Sequence, residues 1–182
     1  MSDNLVTKVV TGKCRFSFVN VFEPVAFVEG QDPKYSLMLL IPKQDTRTIT
    51  AIQTAIKNAA EKGKSTKFGG KIPPVLKTTF KDADKDTNQD GEIFAEKWPE
   101  TAGHYIINVS TKNKPQVVDA DRQEIIDPYE VYSGCYGRAS INFFAYNSNG
   151  NKGISAGLGN VQKLEDGEPL GGITTAEQDF KD

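Results

Sequence analysis

The chain is poor in the residues that most often carry out chemistry. It holds one histidine, His104, and two cysteines, Cys14 and Cys135, so no His/Cys cluster with zinc spacing can be assembled. No serine stands in a nucleophile-elbow context. Each cysteine falls on the apolar side of an alternating stretch, which predicts small buried hydrophobes in a reducing compartment, not a disulfide framework. No apolar run approaches the roughly 20 residues needed to cross a bilayer. Residues 1–10 lack the basic start and apolar stretch of a secretory signal. These absences predict a soluble, non-secreted protein, no membrane partner, no cofactor and no enzyme built on thiol, imidazole or metal.

What is present is enough for one real core: 182 residues, of which 37% are hydrophobic. Charge is unevenly spread. From Leu164 onward stand Glu165, Asp166, Glu168, Glu177, Asp179 and Asp182 against the single Lys181, which leaves the body with a small positive excess. The expected organisation is therefore a domain over residues 1–163 and a flexible acidic tail over 164–182.

Along the body the hydrophobic period is mostly two. Residues 8–22 alternate, with Cys14, Phe16 and Phe18 expected inward and Lys13, Arg15 and Ser17 outward, and Glu23-Pro24 expected to end the strand. Tyr35–Ile41 is apolar on both parities, as in a strand covered on both faces. Residues 45–62 form the one convincing helix, capped by Asp45 or Thr46. Ile49, Ile52, Ala55, Ile56 and Ala59 make its buried stripe. A further strand is expected over His104–Ser110. At least six short strands and one helix, without regular alternation, predict a small β-barrel with an inserted helix.

The most informative stretch runs from Tyr132 to Gln162, two extended runs joined by Asn147-Ser-Asn-Gly-Asn-Lys152 as a hairpin. Sorting the first arm by parity puts Cys135, Gly137, Ala139, Ile141, Phe143 and Ala145 on one face. The other face receives Tyr136, Arg138, Ser140, Asn142, Phe144 and Tyr146. Three aromatics, a guanidinium and hydrogen-bonding groups on one face suit base stacking and phosphate contact. The alternative is a second packed layer. Candidate contacts are thus Tyr136, Arg138, Asn142, Phe144 and Tyr146, with Lys13, Arg15, Lys112 and Lys152 for phosphates. Trp98 is assigned either to stacking or to the core.

Rival sites fail on spacing. Gly63-Lys-Ser resembles the end of a phosphate-binding P-loop, but position 58 is Asn and the order of strand and helix is wrong. The lysines of that loop, Lys64, Lys67 and Lys71, stay candidates for phosphate contact. Asp86, Asn88, Asp90 and Gly91 open like a calcium loop, but its last ligand would be Lys97. His104 stands alone in an apolar strand and reads as structural. A metal-dependent nuclease on Asp84, Asp86 and Asp90 ranks far below a binding function, because nothing apolar encloses these carboxylates.

Five short motifs bear a resemblance: Pro115-Gln-Val-Val-Asp119, Val131-Tyr-Ser-Gly134, Ile141-Asn-Phe-Phe-Ala-Tyr146, Lys152-Gly-Ile-Ser-Ala-Gly-Leu158 and Gly167-Glu-Pro-Leu-Gly171. Their order and spacing, from about Thr7 to Gly172, are similar to those of a phage single-stranded DNA-binding protein family, first catalogued as a domain of unknown function. The resemblance implies a mainly β chain with an OB-fold-like five-stranded barrel. It also implies coating of single-stranded DNA in phage replication or recombination, in the cytoplasm of a bacterial host. The tail resembles the acidic termini with which such proteins recruit replication partners, naming Glu177, Asp179, Phe180 and Asp182. It departs from them in that Phe180 is third from the end. A second copy of the chain is a further candidate partner. The competing readings are a strand-annealing recombination mediator, and an assembly protein that binds protein through the aromatic face.

Overall fold

The computed structural model describes residues 5–26 and 28–170. Nine strands are present: β1 (Lys8–Val10), β2 (Cys14–Val25), β3 (Lys34–Pro42), β4 (Lys77–Thr78), β5 (Phe80–Asp82), β6 (His104–Thr111), β7 (Val117–Val118), β8 (Tyr136–Ser148) and β9 (Asn151–Glu165). The helices are α1 (Thr46–Gly63) and the short α2 (Phe94–Lys97). Five strands make the expected barrel: β8 pairs with β2, β2 with β3, β3 with β6, β6 with β9, and β9 returns to β8. The β6–β9 seam is the thinnest, a parallel contact registered at Ser110↔Gly157. The short strands β1, β4, β5 and β7 extend the edges of this ring.

The core follows from the alternation. Phe16, Leu37, Leu39, Ile41, Ile107, Val109, Ile141, Phe143 and Ile154 point inward and are buried. Helix α1 adds Ile49, Ile52, Ala55 and Ala59. Its start is capped as expected, with Asp45 Oδ1 accepting from the Thr48 N–H at 3.1 Å. β3 is covered on both sides, because Met38 and Leu40 face outward under Ala83, Ile106 and Phe94. The segment between β5 and β6 is thus docked across the outer face of β3 and β6, where the sequence suggests only a polar excursion. Several polar side chains in and beside it are engaged locally. Lys43 bridges Asp82 and Asp84 at 2.8 and 2.7 Å, and Asn88 Oδ1 accepts from the backbone N–H groups of Asp90 and Glu92.

Two expectations for β2 need correction. Pro24 does not end the strand; β2 continues to Val25, opposite Lys34, across an irregular stretch where the ladder needs no donor at position 24. Phe18 does not face the core. The register with β3 shifts between Ser17 and Asn20, and Phe18 takes φ +48°, so Ser17 is buried and Phe18 turns outward.

The cysteines are both buried and free, as the alternation predicts. Burial pushes the Cys14 thiol from its ordinary 9.0 up to about 12, which makes it an inert core residue. His104 hydrogen-bonds through Nδ1 with the Ala102 carbonyl at 2.8 Å, a local structural contact. Among the described residues no helix is long and apolar enough to cross a membrane.

The end of the body is held differently from expectation. β9 runs through the expected boundary at residue 163, and residues 166–170 stay on the barrel. Tyr132 Oη donates to the Gly167 carbonyl at 2.9 Å, and the Leu170 N–H to the Ser133 carbonyl at 2.8 Å. Gly134, at φ +117°, makes room: a Cβ there would lie 2.1 Å from the Glu168 carbonyl oxygen. The tail residues Glu177, Asp179, Phe180 and Asp182 lie outside the described residues.

Candidate nucleic-acid interface

The parity read from the β8 sequence is the parity of the strand. Gly137, Ala139, Ile141 and Phe143 are buried, whereas Arg138, Asn142 and Phe144 are exposed and Tyr136, Ser140 and Tyr146 half-exposed. Phe144 leaves 46% of its surface open, far more than a second packed layer would allow. Its cross-strand partner is Ser155, and the neighbouring pairs are Asn142↔Gly157 and Tyr146↔Gly153. Glycine is required at 153, because a Cβ there would lie 2.5 Å from the Lys77 carbonyl oxygen as well as 2.7 Å from the Tyr146 hydroxyl; the ring lies across bare backbone.

Gly157 joins this face to a larger one. A Cβ built there would meet Phe144 Cε1 at 3.7 Å and the Ser110 carbonyl oxygen at 4.0 Å, so the Phe144 ring and β6 border the same open point. Beyond it lies a cleft of about 560 Å³ on the outer face of β3, β6 and β9. Ser36, Thr79, Asn108, Ser110 and Ser155 line it with neutral hydrogen-bonding groups. Phe18, Phe94 and Trp98 form an aromatic wall on the far side. Phe18 meets Trp98 edge-on at 5.7 Å between centroids and is 47% exposed, and Trp98 stacks on Phe94 at 5.9 Å. Trp98 is therefore a cleft residue outside the main core. The one carboxylate of the cleft, Asp32, pairs with Lys112 at 3.5 Å.

The other sequence-nominated residues are spread out. Asn142 accepts from the Thr7 hydroxyl at 2.9 Å and has Lys8 opposite it on the same face. Arg138 donates from Nε to Gln162 at 2.6 Å. Tyr136 sits eight residues from Phe144, at most about 26 Å along a strand. Its ring is flanked by Lys13 and Arg15, at 5.4 and 5.6 Å from the centroid. Both cations already have partners: Lys13 holds Glu165, and Arg15 donates to the carbonyls of Gly134 and Glu168 at 3.1 and 2.7 Å. Lys152 pairs with Asn147, one position out of phase with Tyr146, and so lies on the opposite face of the hairpin. The structure thus gathers Phe144, Tyr146 and Trp98 around one surface, with Asn142 at its edge and Lys112 near its mouth.

The sequence reading missed Phe18, Phe94, Lys8 and the hydroxyl floor. Phe18 is the most telling. A bulky residue at positive φ costs roughly 1–3 kcal/mol, and such strain gathers at functional sites. A bulge has no local signature in an alternating run, so nothing in the sequence marked it.

A sequence model of one protein family, described as the ssDNA-binding protein of Enterobacter phage Enc34, matches residues 7–182. The chain belongs to that family. A curated relative, a putative protein p50 from Acyrthosiphon pisum secondary endosymbiont phage 1, is 31% identical over 176 residues, covering 94% of this chain and 91% of that protein. Among solved structures, the single-stranded DNA-binding protein from bacteriophage Enc34 in complex with ssDNA superposes with a TM-score of 0.72. It is 27% identical, with 93% of this chain and 99% of that one covered. The single-stranded DNA-binding protein gp2.5 of bacteriophage T7 shares the fold, with a TM-score of 0.60 at 14% identity over 96% and 94% of the two chains. The family match includes the whole of β8 and β9, the strands that carry Phe144 and Tyr146.

Proposed function

We propose that the chain binds single-stranded DNA with little sequence preference and without chemistry. Bases stack on Phe144 and Tyr146 at one side of the surface and on Phe18 and Trp98 at the other. The observation that carries this reading is that one hydroxyl-rich cleft is lined by the half-exposed Phe18 and by Ser155, the cross-strand partner of the half-exposed Phe144. Rings stack any base, and hydroxyl groups that both donate and accept impose little selection. The Enc34 relative solved with ssDNA supports the same ligand here. The biological setting is coating of strands exposed during phage DNA replication or recombination, in the host cytoplasm. Because few unpaired cations line the cleft itself, stacking carries most of its affinity.

The test is a salt titration of oligo-dT binding beside a duplex of equal length, read by fluorescence of Trp98, the single tryptophan. Quenching by oligo-dT, weak binding of duplex and, on an oligo-dT short enough for the cleft alone, a shallow salt slope are expected. Equal affinity for the two nucleic acids would sink the stacking reading.

The acidic tail is proposed to compete with DNA for the body's cations and to meet a protein partner when displaced. The cut that tests this lies after Leu170, since removal from residue 165 would also take Glu165 from Lys13 and the strap from Gly134. Truncation there is expected to tighten oligo-dT binding at low salt, the difference closing as salt rises. Unchanged low-salt affinity would count against competition.

A further inference from the structure

Six lysines and no carboxylate occupy the stretch from Lys62 to Lys81. It runs from the last turn of α1, through a glycine-rich loop, to β4 and β5. Five other lysines, Lys13, Lys43, Lys97, Lys112 and Lys163, each hold a carboxylate; none of these six does among the described residues. Lys64, Lys67 and Lys71 are exposed on the loop. Like charges set together without counter-charge repel one another, and a bound polyanion relieves that repulsion.

The position of this stretch gives the charge a purpose. Asn147 at the hairpin tip donates from Nδ2 to the Lys67 carbonyl at 3.1 Å, and Lys152 lies opposite Asn147 in the ladder. Lys77 is paired with Gly153, the glycine crossed by the Tyr146 ring. The lysine-rich surface therefore begins where the aromatic face ends. Of its two aromatics Phe68 is buried and Phe80 is already stacked on Tyr105, at 4.8 Å between centroids, so it offers cations and backbone but no free ring for a base.

We propose that this surface is a phosphate track for the same DNA strand. Past Tyr146 the strand leaves the stacking face, crosses the hairpin tip and lays its phosphodiester backbone along Lys64, Lys67 and Lys71. The inference rests on the single-stranded DNA reading of the cleft and lengthens that site with a segment that reads charge alone. It also assigns Lys152 a place on the track, away from the stacking face.

The full chain carrying K64Q/K67Q/K71Q is compared with the unaltered chain on oligo-dT of about 6 and about 20 nucleotides, lengths that bracket what one such barrel holds. The three sites are exposed, and an unchanged melting temperature checks the fold. Each lost phosphate contact lowers the single-strand salt slope by about 0.7, so the slope on the longer strand should fall by about 2. Affinity for the short strand, which the cleft holds by itself, should stay within about twofold, below the loss of one stacked base. Equal losses on both lengths would overturn the track and assign the lysines to a general field. An unchanged slope on the long strand would overturn it outright. If the unaltered chain fails to bind the short strand with quenching of Trp98, the cleft reading falls first, and the two failures are told apart.

Discussion

Phe144→Ala is expected to keep the fold and lose DNA, while Phe143→Ala, one residue away, does the reverse. Phe144 is nearly half exposed over Ser155 and Gly157, so its truncation removes little from the core. A stacked base is worth about 1–3 kcal/mol, or roughly 5- to 150-fold in affinity for oligo-dT. Phe143 is 2% exposed and packed among the core residues of the ring. Its truncation should cost about 3–5 kcal/mol in unfolding free energy, a large part of the roughly 5–15 kcal/mol by which a domain is stable. Affinity of whatever remains folded should be nearly unchanged. Urea melts and oligo-dT titrations of both variants check this. Parallel losses in both properties at both positions would mean that the strand does not separate a core face from a binding face.

The second large effect is at Phe18, where Phe18→Gly should separate stability from function. The left-handed backbone costs an ordinary side chain about 1–2 kcal/mol, and glycine removes that cost. Losing the edge-to-face contact with Trp98 forfeits about 0.5–1.5 kcal/mol. The two nearly cancel, so stability should change by less than about 1 kcal/mol while affinity falls by the roughly 5- to 150-fold of a lost stacking platform. A variant that is more stable and binds as before would show that Phe18 is strained for no reason connected with DNA.

Much of the fold can be read locally. Helix α1 begins within a residue of its expected start because an Asp cap and a 3.6-residue stripe are both local signals. β3 reads as doubly covered because both of its faces are apolar, although the sequence does not say that one cover is the β5–β6 segment. The β8 face is equally legible, since alternation needs only the strand's own residues. The partners of the lysines and arginines were not legible locally. Lys13, Arg15 and Lys112 stand beside aromatic or polar residues in the chain but meet carboxylates or carbonyls in space, while the loop lysines meet none. An ion pair is made by residues far apart in sequence: Glu165 is 152 positions from Lys13.

The sequence alone determined that this chain is a β-barrel with an inserted helix and that β8 turns an aromatic face away from the core. It did so because period, cap and turn are properties of consecutive residues. Only the tertiary structure decided what that face belongs to. The β2 bulge that turns Phe18 outward, the docking of Phe94 and Trp98 over β3 and β6, and the Ser110↔Gly157 seam that joins Phe144 to the cleft are all long-range. Each depends on register between strands or on a segment folding back, and register is settled by packing of the whole barrel, not by any stretch of it.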